Sequence, residues 1–453
     1  MALNTSGFGA YDIRGIYPQS INQQLAYRVG RVFPDLFAAK SVAVGHDIRL
    51  SGPSLQEALV RGLSEAGCDV YDIGQCGTEM IYFATGFNDF DGGIMITASH
   101  NPAEYNGLKF VRKGVRPVSP KTGLLDIKAA IEDESRDWSF RKATGSIKRI
   151  DILPDYIKCL LGYVDVANLK PLKIVINTGN GAAGAIINEL EKFLPFNIVK
   201  VHNNGNGYFP NGVPNPLLPD SRHETSAAVI AHGAACGVAF DGDFDRCFLF
   251  DERGNFIEGY YMVGLLAEAF LKKNPGEKII HDPRATWNTI EIAEKYGGKA
   301  IMCRSGHNYM KDTLRAENAI YGGEMASHHY FRDFYYCDSG MIPWLLIAEL
   351  MSKSGKPLSE FVGQMIARHP VSGEINTRVS GTDKVQQIMS HIEQLYSDGA
   401  VNHVDGLSVD FDDWRFNLRG SQTEPYIRLN VEARGDKNLM ETKRDELLAV
   451  IRS

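Results

Sequence analysis

Three aspartates fall within five residues in the stretch DGDFDR, where Asp241, Asp243 and Asp245 stand between the apolar runs CGVAF and CFLF. Carboxylates crowded so closely repel one another unless they share a cation, and hard oxygen ligands suit Mg²⁺ or Ca²⁺. Three carboxylates in a tight loop leave coordination positions open, which Mg²⁺ fills with water and phosphate oxygen. A solvated acidic turn is the plain alternative. A calcium loop of the helix–loop–helix type is excluded, because its sixth position needs glycine and holds Arg246.

A second stretch, ITASHNPAEYNGLKF (96–110), ends an apolar run with Ser99, His100, Asn101 and Pro102 in succession. The residue before a proline is steered away from helix, so Ser99 is displayed on a loop at a strand end. Active sites of α/β sheets collect there. Ser99 is a candidate nucleophile or phosphate carrier; an exposed loop serine is the alternative. Strand neighbours point to opposite faces, so His100 is not expected to form a dyad with it. Lys109, ten residues on, is a candidate proton carrier, since a lysine in a closed pocket can have its pKa lowered.

Two further loops are rich in polar groups. GEMASHHYF (323–331) offers Glu324, Ser327, His328 and His329 as readers of sugar hydroxyls, or as a self-satisfied polar loop. Zinc is disfavoured there, for want of another ligand at a useful spacing. RGSQTEPYIR (419–428) gathers Arg419, Ser421, Gln422, Thr423 and Arg428 around a glycine. Guanidinium, hydroxyl and backbone amides converging in this way hold a phosphate. An ordinary turn before a strand is the alternative.

TGNGAAG supplies Gly179, Gly181 and Gly184 in the spacing G-x-G-x-x-G, which raises an NAD-dependent oxidoreductase as a second class of function. The acidic ribose ligand expected about 20 residues later is missing. His202 and Asn203 stand there instead, so a tight turn with close packing is the preferred reading.

These loops need a scaffold, and the pattern supplies one. SVAVGHD, DVYDIG and GGIMIT read as strands that alternate with helices over 54–67, 78–86 and 124–134. The order restarts at LKIVIN and again at EKIIHD, predicting three similar mixed α/β domains over 1–150, 151–253 and 254–366. No residue-level repeat is apparent among them. GEINTRVS, LSVDFDDWRFNLRGS and YIRLNVEAR read as strands of a smaller C-terminal α+β domain, 367–453.

A chain of 453 residues suits about three or four domains. The net charge of −7 gives no general attraction to nucleic acid or an acidic membrane. No apolar run approaches the roughly 20 residues of a membrane helix. The N-terminus does not read as a signal peptide. Seven scattered cysteines, without a CxxC, read as reduced thiols, and the expected location is cytoplasmic.

In order along the chain, YDIRG (11–15), TASHNP (97–102), NGLKF (106–110), DGDFDR (241–246), GEM with Ser327 and His328, and RGSQTEP (419–425) resemble the α-D-phosphohexomutase superfamily. Within it the chain is similar to the bacterial phosphomannomutases and the bifunctional phosphomannomutase/phosphoglucomutases. HHYFRDFYYCDSGMIPWL is similar to the phosphomannomutases that feed GDP-mannose synthesis. The resemblance spans the chain and implies four domains around a central cleft, with phosphosugar as substrate and hexose 1,6-bisphosphate as intermediate. It implies a phosphoserine at Ser99, and Mg²⁺ on Asp241, Asp243, Asp245 and a Ser99 phosphate oxygen. Lys109 and His100 become acid/base candidates, and Arg246 holds the phosphoryl group or its loop. Tyr11, Arg14, Arg284, His307, Glu324, Ser327 and His328 face the substrate. Arg419, Ser421, Gln422 and Thr423, with Arg428 beside them, hold its non-reacting phosphate. Two positions depart from the family pattern. Ala326 stands where serine is common, and Gln422 where asparagine is.

Overall fold

Strand Ser41–His46 carries a buried apolar run over 42–45, a pattern stable only where both faces of a sheet are covered. In the computed structural model, which describes residues 3–9, 11–139, 144–420 and 426–453, it lies inside the first sheet. The sheet runs Ile13–Ile16, Tyr105–Arg112, Gly92–Ile96, Ser41–His46, Asp69–Gln75, Ile147–Arg149. Gly92–Ile96 onward is parallel, as alternating strands and helices require. Ile13–Ile16 and Tyr105–Arg112 are antiparallel, which the expected alternation misses. Four strands of the second sheet adjoin in the order Cys247–Phe250, Cys236–Phe240, Lys173–Asn177, Asn197–Val201. Its first two strands form an antiparallel hairpin whose connection is the acidic loop. These sheets lie in one compact unit, which runs to Phe256 and takes back Asp333–Gly355.

The other unit comprises Ile257–Arg332 and Lys356–Ser453. Strands Lys299–Met302, Lys278–His281, Tyr321–Gly323 and His329–Phe331 adjoin in that order, among helices Gly259–Lys273, Trp287–Lys295 and His307–Glu317. The C-terminal sheet is wholly antiparallel: Ile375–Arg378, Tyr426–Ala433, Trp414–Gly420, Leu407–Asp410, Ala400–Asn402. Val385, Ile388 and Ile392 of one helix and Leu447, Leu448 and Ile451 of another close its core over Val409, Phe416 and Leu429. This is the α+β arrangement that its period-two strands predict. No helix among the described residues is long and apolar enough to cross a membrane.

A residue-level repeat is present after all. At the end of the first parallel strand of each α/β block, a side-chain oxygen accepts the amide two residues on. Asp47 Oδ1 takes Arg49 N, Asn177 Oδ1 takes Gly179 N, and Asp282 Oδ1 takes Arg284 N, each at 2.9 Å. In the first and third blocks the turn reads His-Asp-x-Arg, at 46–49 and 281–284. The histidine Nδ1 also meets the aspartate carbonyl, at 2.6 and 2.9 Å.

Helix Met341–Ser354 belongs with the first unit, although its sequence position put it in the block 254–366. One buried acid explains the attachment. Glu79, fully buried on helix Thr78–Phe87, accepts hydrogen bonds from Gly340 N at 2.6 Å, Ser339 Oγ at 2.8 Å and Met341 N at 3.3 Å. Tyr156 donates a fourth. It thus satisfies amides that the helix leaves without intrahelical partners.

Burial pushes Glu79 up to about 8 against the pull of those donors. An unfolded glutamate titrates near 4.3, so the folded chain alone resists ionisation as pH rises from about 4.5 to about 8. Stability is lost across that window and levels off above it, by on the order of a few kcal/mol. Urea unfolding of wild type and Glu79→Gln at both ends of the window measures this. The substitution is expected to flatten the slope, and equal slopes would refute the assignment.

Candidate active site

The chain leaves strand Gly92–Ile96 and turns at Ser99, whose φ of 49° lies in the left-handed region. A non-glycine residue held there needs support from its surroundings. Thr97 Oγ1 accepts Ser99 N at 2.8 Å and itself donates to Asp47 Oδ2 at 2.6 Å. Arg49, whose side chain is fully buried, donates to four carbonyls of the loop: Ser99 at 2.8 Å, Asn101 and Pro102 at 2.6 Å, and Tyr105 at 2.8 Å. Arg14 adds Asn101 Oδ1 at 2.9 Å and Ala98 O at 3.3 Å, and pairs with Asp12. Two guanidiniums thus replace the backbone partners that an irregular buried loop lacks. Tyr11 lies half-buried in the segment that carries Arg14.

The acidic loop closes on this turn. A Cβ at Gly242 would lie 2.5 Å from the Ser99 carbonyl, so only glycine permits the approach. Ser99 Oγ donates to Asp241 Oδ2 at 2.9 Å, and Arg246 binds the same oxygen at 2.6 Å. Lys109, on strand Tyr105–Arg112, reaches Asp243 and Asp245, each at 2.7 Å. Thr78 donates to Asp243 Oδ2 at 2.5 Å. The structure therefore brings Ser99, His100, Lys109, Asp241, Asp243, Asp245 and Arg246 together in one buried cluster.

Two expectations are corrected. Ser99 Oγ lies 3.1 Å from His100 Nδ1, because the left-handed turn breaks the alternation that a strand would impose. Burial, Arg246 and Arg14 hold that imidazole well below its usual pKa, so it is neutral. Lys109 is not lowered. Burial alone would lower it, but Asp243 and Asp245 outweigh burial and hold the ammonium above its ordinary value. Asp241 is pushed up to about 6 by burial, which outweighs Arg246, with Asp245 and Asp243 adding repulsion.

Oxygens of Asp241, Asp243 and Asp245 lie within 4.8 Å of one another. Asp243 Oδ1 is buried and accepts no hydrogen bond among the described residues. A buried carboxylate oxygen left over in this way has the character of a ligand atom, so these residues can hold a metal ion.

A second polar cluster lies in the other unit. Arg284 pairs with Asp282 at 2.6 Å and Glu374 at 3.4 Å, and stands 3.9 Å from Glu324. Glu324 accepts Gly306 N at 2.7 Å and Tyr330 Oη at 2.6 Å, with His328 Nδ1 at 3.2 Å. Burial would raise its pKa, but His328, Arg284 and Tyr330 outweigh it and hold the carboxylate ionised. Tyr330 and Glu374 were not foreseen. His307 opens helix His307–Glu317 next to Gly306 and is half-buried. Ser327, at φ 66°, is buried, and its Oγ lies against Gly259. His329, buried behind Tyr321, meets its hydroxyl at 2.7 Å and is pushed down to about 3 by burial. Arg419 and Arg428 face each other across paired strands, and Arg419 binds Asp405 at 3.0 Å and Glu374 at 2.8 Å. Ser421, Gln422 and Thr423 lie outside the described residues.

Asp47 and Arg49 are the positioning residues that the motif reading overlooked. HDIR ends a strand that lies beside the one leading into TASHNP, an adjacency that the strand pairing shows and the sequence alone does not. The glycines of TGNGAAG have a structural use, since a Cβ at Gly184 would lie 1.9 Å from the Asn203 carbonyl.

Known proteins agree with the four-part pattern. Family models for phosphoglucomutase/phosphomannomutase match in sequence: α/β/α domain I over residues 5–137, domain II over 154–254, domain III over 258–369, and the C-terminal domain over 374–449. The chain belongs to the phosphoglucomutase/phosphomannomutase family. It is 52% identical to a phosphomannomutase of Salmonella montevideo, over 99% of this chain and 100% of that protein. A phosphomannomutase of Escherichia coli K12 is also 52% identical, over 98% of both chains. A family member from Burkholderia thailandensis of known structure superposes with a TM-score of 0.88 at 31% identity, over 99% of this chain and 98% of that one.

Removing one carboxylate tests the metal reading. Asp243→Asn is expected to weaken Mg²⁺ or Mn²⁺ binding by at least about tenfold in calorimetry, since affinity follows ligand charge. Circular dichroism should be unchanged. Equal affinity in the variant would remove the acidic loop from any metal site.

Proposed function

We propose that the chain is a phosphomannomutase that interconverts mannose 6-phosphate and mannose 1-phosphate. The observation that carries this reading is the Ser99 hydroxyl, 2.9 Å from Asp241 beside Arg246. Relatives at about half identity over the whole chain bear the name phosphomannomutase, which supports the choice of reaction.

The reaction starts with Ser99 phosphorylated. The bond between phosphorus and Ser99 Oγ breaks as the free sugar hydroxyl bonds to phosphorus. The hydroxyl proton leaves to an acid/base group, for which the neutral His100 is the candidate, since Lys109 is already an ammonium and can only donate. Ser99 Oγ regains a proton, and the sugar becomes a hexose 1,6-bisphosphate. After the sugar turns around, Ser99 attacks the other phosphate, and a 1-phosphate or 6-phosphate departs. Phosphoryl transfer depends mainly on positioning and on stabilising charge. Arg246 and Lys109 supply fixed positive charge, while Arg49 and Arg14 hold the nucleophile's loop. Asp241, Asp243 and Asp245, with a Ser99 phosphate oxygen, would hold Mg²⁺, which when bound neutralises charge on the transferring group. In the second unit, Glu324 and His328 are assigned to sugar hydroxyls, and Arg419 and Arg428 to the non-reacting phosphate. Tyr11, His307, Ser327, Ser421, Gln422 and Thr423 keep their family-based assignments to the substrate.

A bifunctional or glucose-preferring phosphohexomutase is the second reading, because relatives from Xanthomonas campestris at about the same identity are named phosphohexose mutases. Mannose and glucose differ only at C2. Coupled assays with mannose 1-phosphate and glucose 1-phosphate, given Mg²⁺ and a trace of bisphosphate, decide between them. The mannose sugar is expected to turn over faster, and equal or reversed rates would favour the second reading. Turnover of neither, with a response to NADH, would point to the oxidoreductase. Ser99→Ala is expected to lose labelling by ³²P-bisphosphate and to lower kcat on the order of 10⁴-fold or more. A variant labelled to normal stoichiometry would refute the carrier role.

A further inference from the structure

Glu374 stands at the centre of the arginine cluster in the second unit. Its Oε2 accepts Arg419 Nη2 at 2.8 Å and Arg284 Nη1 at 3.4 Å, and its Oε1 lies 3.9 Å from Arg428 Nη1. Burial would raise this carboxyl, but Arg284, Arg419 and Arg428 outweigh burial and keep it ionised. The three guanidiniums come from separate places: Arg284 follows strand Lys278–His281, while Arg419 and Arg428 are paired across the C-terminal sheet. One anion therefore draws together cations from both parts of the unit. Glu374 sits on the segment between helix Leu358–Arg368 and strand Ile375–Arg378, and Gly373 before it takes a left-handed φ of 68°.

We infer that Glu374 occupies the place on these arginines that the substrate's non-reacting phosphate takes during turnover. The inference rests on the proposed assignment of Arg419 and Arg428 to that phosphate. Three positive groups brought close would repel one another if no anion joined them. Asp282 also pairs with Arg284 and Asp405 with Arg419, but Glu374 is the carboxylate that all three share, and it keeps them collected while no substrate is bound. A phosphate dianion carries more charge and more acceptor oxygens than a carboxylate, so it displaces Glu374 from the guanidiniums. Asp405, also bound to Arg419 at 3.0 Å, differs in kind. It touches Arg419 and Arg304 and accepts Ser305 N at 3.3 Å, but neither Arg284 nor Arg428 reaches it among the contacts described. Asp405 therefore orients Arg419 alone, whereas Glu374 joins the set. Glu374 is thus a positioning residue that competes with substrate.

The test is the inhibition constant of inorganic phosphate against mannose 1-phosphate, together with KM and kcat, for wild type, Glu374→Gln and Arg419→Ala. With the competing charge removed, Glu374→Gln is expected to bind phosphate about three- to tenfold more tightly and to lower KM in proportion, the range of a partly exposed ion pair. kcat should not rise, because release of the phosphosugar slows as well. Arg419→Ala should weaken phosphate binding by about tenfold or more. If Arg419→Ala weakens phosphate binding while Glu374→Gln leaves it unchanged or weaker, the competitor role is overturned and the phosphate assignment stands. If Arg419→Ala has no effect, the assignment itself fails and this inference falls with it. Should Glu374→Gln not fold, Glu374→Asp carries the same test. Its shorter reach is expected to tighten phosphate binding by a smaller factor, and unchanged binding would overturn the proposal.

Discussion

Three carboxylates buried within one loop are the condition to which the first unit answers. An unpaired ion in the interior costs several kcal/mol, so each aspartate must meet a cation or a donor. Arg246 and the Ser99 hydroxyl answer Asp241, while Lys109 answers Asp243 and Asp245, and Thr78 helps. Those partners come from separate strands and turns, so the charges fix where the strands end. The antiparallel strand Tyr105–Arg112 brings Lys109 opposite Met95, one strand away from the Ser99 turn. Gly242 lets the two loops approach to backbone contact. The carboxylates that are costly to bury also collect Arg246 and Lys109 in the cluster with Ser99, and fixed positive groups are what phosphoryl transfer needs as negative charge develops.

Much of this was legible because the relevant residues break a pattern. Acids inside an apolar hairpin, and Ser-His-Asn-Pro after an apolar run, cannot be explained as strand. The alternation of apolar runs with amphipathic stretches likewise gave α/β blocks followed by an α+β end. Long-range partners were not legible. Asp47 and Arg49 read as an ordinary strand-to-helix turn, and their use appears only when the carbonyls of a loop some fifty positions away arrive. Glu374 read as the start of a strand. The pKa of Lys109 followed its two carboxylates rather than its burial, a balance that needs distances. The Ser99–His100 contact depended on a single backbone angle that residue type does not dictate.

The shared turn of Asp47, Asn177 and Asp282 shows how a repeat can hide. What recurs is a side-chain acceptor and a hydrogen-bond geometry at the end of a parallel strand, while the surrounding residues differ. Two of the turns carry an arginine and use it differently: Arg49 braces a loop, and Arg284 joins a cluster of ion pairs. The middle copy has glycine at that place.

The return of Asp333–Gly355 to the first unit bears on how the polypeptide is made. A ribosome delivers Glu79 and Tyr156 long before Ser339, Gly340 and Met341, so the carboxyl group waits without three of its four donors. The N-terminal half can assemble its strands as they emerge, but it cannot close over that glutamate until much of the second unit has been translated. A nascent chain stalled near residue 256 would therefore carry an unfinished seam around Glu79.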